Sequence, residues 1–150
     1  MNTAAATFTA PIGQTVIRQL IPHADSMCLL DRVVSWTDAG IECTAVSHRS
    51  PDNPLRHGGV LPIHTGIEYC AQAIAVHGRL TSQELGPPRR GYLAVILDTQ
   101  WHVQRLDDCA GALQITAQKQ VALQQGVNYA FAIQHEGRTL LTGQAVVALE

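Results

Sequence analysis

At 150 residues, with 46% apolar and only 15% charged residues and a formal net charge of −2, the chain is long enough for one domain around its own core and needs no staples. Such a surface has no basic footprint for nucleic acid or an anionic membrane, and it favours a small neutral or acidic molecule or another protein as partner. Cys28, Cys43, Cys70 and Cys109 are far apart and form no CxxC, which argues for reduced thiols over a disulfide framework or a zinc site.

The leader MNTAAATFTAPIG has neither a basic region nor a continuous apolar stretch, and no run approaches the roughly eighteen apolar residues of a membrane span. A soluble, cytoplasmic protein is expected. Thr15 to Leu20 has the character of a short helix, ended by Pro22. In LIPHADSMCLLDRVVSW the apolar run at 27–30 feeds Asp31 and Arg32 and then the β-rich residues 33–36, so a strand is expected from about residue 31. Asp38-Ala39-Gly40 is a turn signal, and residues 41–48 alternate as the returning arm of a hairpin. His23, Asp31 and Arg32 read as structural groups at a strand entrance.

From Arg49 to Gly59 the sequence RSPDNPLRHGG has the composition of a loop. It leads into HGGVLPIHTGIEYCAQAIAVHG (57–78), where Pro62 suits a first helical turn and apolar residues recur at 63, 67, 70, 71 and 74. A buried helix of four to five turns is expected, with Glu68 its only carboxylate and Gln72 and Thr65 on the same flank. A carboxylate in apolar surroundings responds by a raised pKa, which suits a general acid; exposure, or pairing with an arginine, is the plainer alternative. His57-Gly58-Gly59 just ahead of the helix can bring backbone amides and an imidazole to a ligand, or can be only a turn. His64 and His77 read as packing or capping residues. Metal binding is not expected, and none of HExxH, GxSxG, GxGxxG or GxxxxGK[ST] occurs.

After a turn at LGPPRR, four β-rich runs follow at 91–103, 113–123, 127–135 and 139–149, separated by Asp107-Asp108, Gln124-Gln125-Gly126 and Glu136-Gly137. Arg89 and Arg90 suit a solvated turn or a phosphate contact. One long helix and about six antiparallel strands leave few arrangements, and the sheet must wrap the helix. The fold class is therefore α+β, as a single domain over residues 1–150.

Two segments resemble a known family. LIPHADSMCLLDRVVSW is similar to the PHRxPFLLxDRV opening of the β-hydroxyacyl-(acyl-carrier-protein) dehydratases, and IEYCAQA to their helix motif (L/V)EAxAQA. GIEYCAQAIAVHG (66–78) most resembles the hotdog dehydratase-like proteins of aryl-polyene-type pigment pathways. The resemblance implies a hotdog fold and elimination of water from a 3-hydroxyacyl thioester to a trans-2-enoyl product. The substrate would be carried on the phosphopantetheine of an acyl carrier protein or on coenzyme A, with no other cofactor. It implies Glu68 as catalytic carboxylate, with Gln72, Gly58, Gly59, Ile63 and His64 as substrate-binding residues and amides at the helix start polarising the thioester carbonyl. The family's glycine after the helix-start proline is here Ile63. The catalytic histidine of GHFPG, fourteen residues before the glutamate, falls on Pro54 by ungapped counting. His57 fills that role if the loop is about three residues shorter, with His48 and His64 as substitutes. A homodimer or larger oligomer is implied, His and Glu coming from opposite subunits. HGGV also resembles hotdog acyl-CoA thioesterases of the HGG type. A non-catalytic acyl-binding partner of an active hotdog subunit is the reading from a different class.

Overall fold

The computed structural model describes residues 9–21, 27–82, 91–123 and 126–149. A two-residue strand β1 (Ile12–Gly13) precedes helix α1 (Gln14–Leu20), and the hairpin β2 (Arg32–Thr37) and β3 (Gly40–Ala45) follows. The long helix α2 (Gly66–Thr81) is entered through a 3₁₀ turn at Ile63–Thr65. Four long strands complete the chain: β4 (Gly91–Trp101), β5 (Leu113–Leu123), β6 (Gly126–His135) and β7 (Arg138–Leu149). All seven strands form one antiparallel sheet in the order β1-β2-β3-β5-β6-β7-β4. The expected α+β architecture is the observed one, with the short β1 an addition that two residues gave no pattern to reveal.

Alternation dictates the sheet. In β5, Leu113, Ile115 and Ala117 are buried, and their register partners Ile133, Phe131 and the β3 residues Ala45, Cys43 and Ile41 are buried with them. These inward side chains meet Gly66, Tyr69, Cys70, Ala73, His77 and Leu80 of α2. The helix rests on β3, β5 and β6. The β6–β7 turn is Glu136-Gly137, both with left-handed φ (50° and 80°), the two-residue geometry that matches the twist of a hairpin.

The helix begins later than Pro62, because Pro62 is extended and bridges to Arg105 in the chain beyond β4. Leu106 donates its amide to the Leu61 carbonyl at 2.9 Å, and Ile63 donates to that of Gln104 at 3.0 Å. Asp107 accepts from the Leu61 amide at 2.9 Å while its carboxylate holds Arg105 at 3.1 and 2.5 Å. The Arg105 guanidinium beside Asp107 keeps that carboxyl well below the usual carboxylate range. Gly66 then seats the first helical turn against the sheet: a Cβ there would stand 2.7 Å from Ile133 and 2.9 Å from Leu141. The four cysteines are free and buried, and burial pushes the Cys43 thiol up to about 12.

Candidate active site

At about 100° per residue, Gly66, Tyr69, Cys70 and Ala73 share the face of α2 turned to the sheet, and Glu68 lies about 200° from Gly66. Glu68 is exposed. The dry setting expected for its carboxylate is therefore not supplied by the described residues of this chain. Its exposed neighbours include His64 and Ala75, and the apolar run across this face consists of side chains too small to demand burial.

Gln72 is buried, as the helical pattern suggested, but both ends of its amide are engaged. The side-chain oxygen accepts from the Leu29 amide at 2.9 Å and the nitrogen donates to the Met27 carbonyl at 2.5 Å. It holds the residues before β2 against the flank of α2. Tyr69 does the same for the loop after β3. Asn53 Nδ2 donates to the Tyr69 hydroxyl at 2.9 Å, and Ser47 Oγ lies 2.8 Å from that hydroxyl and donates its own proton to the Leu29 carbonyl at 2.7 Å. With the serine proton committed to a carbonyl, Tyr69 must donate to Ser47, so the four groups form one directed chain.

His57, Gly58 and Gly59 build a tight turn. His57 and Val60 exchange backbone hydrogen bonds of 2.7 and 3.1 Å, and Gly58 and Gly59 have φ of 58° and 82°. The two glycines are needed for that backbone, and the His57 side chain is exposed. Arg56 braces the turn from behind, donating to the carbonyls of Ser50 (2.7 Å), Gly59 (2.6 Å) and His48 (3.1 Å). His64 stands exposed in the 3₁₀ turn. The Ile63 amide, expected to polarise a thioester carbonyl, is already spent on Gln104. The chain thus brings Glu68, His64 and the His57 turn to the helix-entry end of the molecule, and no hydrogen bond links Glu68 to either imidazole among the described residues.

Sequence reasoning ranked His48 only as a substitute. The structure buries it completely in the same loop, Nε2 donating to the Cys109 carbonyl at 3.0 Å and Nδ1 buried without a partner among the described residues. Burial pushes this imidazole below its ordinary value, opposed by the backbone of Cys109 and of Gly111. His77 is equally buried but satisfied: Nε2 donates to the Thr37 carbonyl at 2.7 Å and Nδ1 accepts from Tyr129 Oη at 2.6 Å. It is a packing residue, as its position suggested. Asp31 and Arg32 form an exposed ion pair of 3.6 Å at the entrance of β2, while His23, Arg89 and Arg90 lie outside the described residues.

A family model for ApeP-like proteins, described as ApeP dehydratase, matches residues 15–149. The chain belongs to the ApeP-like dehydratase family. No curated protein gives a sequence match. Among solved structures, the dehydratase heterocomplex ApeI:P from Xenorhabdus doucetiae superposes with a TM-score of 0.77 at 22% identity, over 95% of this chain and 93% of that one. Zebra fish thioesterase superfamily member 2 gives 0.66 at 12% identity over 91% and 95%. A hypothetical thioesterase solved with coenzyme A from Streptococcus pneumoniae TIGR4 gives 0.55 at 14% over 79% and 84%. At these identities the likenesses establish the hotdog fold that ApeP-like dehydratases and thioesterases share.

Proposed function

We propose that this ApeP-like chain takes part in the dehydration of a 3-hydroxyacyl thioester carried on an acyl carrier protein, as half of a site that a second hotdog subunit completes. The observation that supports the reading is where Glu68 stands, in the first turn of α2 and exposed among the described residues; the helix motif matches it to the family's catalytic carboxylate by resemblance. A carboxylate bare in one subunit is withdrawn from water when a partner covers it, the setting in which a carboxyl can serve as a general acid. In the reaction an imidazole takes the proton from C2, the C3–O bond breaks, and Glu68 gives its proton to the departing hydroxide. Water and a trans-2-enoyl thioester leave, and proton return from imidazole to carboxylate resets the site.

The free edge of β4 supports a paired assembly. Among the described residues β4 has β7 on one side only, and it carries the exposed apolar side chains Val95, Leu97 and Trp101. An unpaired strand edge with such side chains is ordinarily covered by another chain. Two imidazoles in the loop before α2 compete as base: His57, displayed on its turn, and His48, whose Nδ1 has no hydrogen-bond partner among the described residues.

A second reading, that this chain is the non-catalytic member of a hotdog pair, draws on the occupied Ile63 amide and on the heterocomplex formed by the ApeP-like neighbour. One experiment separates the readings. Carrier-bound 3-hydroxyacyl substrate is incubated with wild type, Glu68→Gln, His57→Ala and His48→Ala, and loss of water is followed by mass. Loss of at least a hundredfold in Glu68→Gln and in one histidine variant is expected. Unchanged elimination in Glu68→Gln ends the catalytic assignment. No turnover by wild type alone, restored by a co-purifying hotdog subunit, establishes the partner role.

A further inference from the structure

The His57 turn meets the body of the molecule at Leu61. Arg56 holds the turn from behind, but its three acceptors, the carbonyls of His48, Ser50 and Gly59, all belong to the loop that carries the turn. Leu61 is completely buried, so its amide requires an acceptor. The bonds from Ile63 to Gln104 and from Leu106 to Leu61 are rungs of an antiparallel ladder, with Pro62 opposite Arg105. In a regular ladder Leu61 would return the bond to the Leu106 carbonyl. That carbonyl instead accepts from Cys109 at 3.1 Å as the chain turns away, and the Asp107 carboxylate takes the Leu61 amide in its place.

The substitute is a firm one. Arg105 Nε and Nη2 engage both oxygens of Asp107, whose side chain is only 8% exposed. A charged acceptor held at two points keeps its orientation and makes a stronger bond to an amide than a neutral one does. Val60, the next residue, closes the His57 turn through its two backbone bonds, and the turn between them is built on Gly58 and Gly59, the residue type with the freest backbone. A side chain of the β4–β5 connection therefore sets where the turn starts from. Glu68 is secured separately, since α2 is tied down by the bond from Ile63 to Gln104 and by the seat of Gly66 against Ile133 and Leu141.

We propose that Asp107 is a positioning residue: by holding the Leu61 amide it fixes where the His57 turn presents its imidazole. The inference rests on the dehydratase reading with His57 as base, and adds to it a side chain that touches neither the substrate nor the imidazole. His57 is exposed on this chain, in a site that a second subunit completes, so its place has to be set from within this chain before that subunit arrives. The plainer role for Asp107 is to satisfy a buried amide and nothing more. That role predicts a loss of stability with an unchanged rate per folded molecule, whereas a positioning role predicts a loss of rate that depends on His57.

The test is steady-state dehydration of carrier-bound 3-hydroxyacyl substrate by the full-length chain, alone or with whichever hotdog subunit it needs for turnover. Asp107→Ala and Asp107→Asn are compared singly and in combination with His57→Ala, and circular dichroism checks that each is folded. Asp107→Ala is expected to lower kcat about tenfold with KM changed by less than about twofold. Asparagine keeps an oxygen for the Leu61 amide and is expected to recover most of the loss. On top of His57→Ala, Asp107→Ala is expected to cost nothing further, because a residue acting through the imidazole then has nothing to position. If Asp107→Ala does not fold, Asp107→Glu takes its place: it keeps the charge, moves the acceptor by one methylene, and is expected to lower kcat in the same way. An unchanged kcat in the folded variant, or an equal loss with and without His57, overturns the proposal. Absence of turnover by wild type under every condition removes the dehydratase reading. The hold on the turn is then read from the His57 Cε1–H resonance by NMR: shifted or broadened in Asp107→Ala, it stands; unchanged, it falls.

Discussion

The two flanks of α2 are closed by different chemistry. On one, the side chains of Tyr69 and Gln72 spend every polar atom they own on Met27, Leu29, Ser47 and Asn53; on the other, Ile67 is half-buried against the apolar core with no polar atom to place. Hydrogen bonds are directional and costly to leave unmade, so the first flank has one arrangement. Apolar contact is non-directional, so the second flank is held by fit alone and sets no single arrangement.

That contrast can be broken most severely at Gln72. Gln72→Leu strands the buried Leu29 amide and the Met27 carbonyl, and a loss of about 3 kcal/mol is expected in urea unfolding, from two unmade bonds at about 1–2 kcal/mol each. Tyr69→Phe removes one donor and one acceptor from the directed chain while keeping its ring, and should cost about 1–2 kcal/mol by the same measurement.

Acid should act on the closed parts of the molecule through His48 and His77. Burial holds both imidazoles below their ordinary value, so the unfolded chain binds the proton more tightly. Their contribution is complete above the unfolded value near 6.5 and is lost as pH falls below it toward the folded one. Unfolding free energy measured from pH 8 down to pH 5 should decline, and His77→Gln, which can still meet Thr37 or Tyr129, should flatten the decline. A flat profile in wild type would mean that neither ring is held neutral. Away from the closed flank, Trp101→Ala should shift stability by less than about 0.5 kcal/mol in the same urea experiment, since the indole is 54% exposed.

Most of the sheet was legible because each strand is covered on one face: the runs at 113–123 and 139–149 coincide with β5 and β7 to within a residue, since alternation and burial are the same fact there. The helix was legible too, but its exposed face was not. Ala71 counts as apolar in a periodicity reading, yet alanine has so little surface that nothing obliges it to be buried, and Glu68 one turn before it looked enclosed. The engagements of Ile63 with Gln104 and of Leu61 with Asp107 span more than forty residues, and no local pattern announces a backbone partner at that distance. His48 was visible only as one histidine among seven; its unpaired nitrogen is a property of what folds around it.

Arg56 gives residues 48–60, which form no long strand or helix, an internal frame: one planar guanidinium reaches three carbonyls, at 48, 50 and 59. A lysine has no fork with which to span them. Length changes between positions 51 and 55 would move Arg56 relative to two of its anchors, whereas a residue added after Val60 would leave the frame whole. Within this family, then, the loop can be expected to vary in length outside the reach of that one side chain and to keep its count within it.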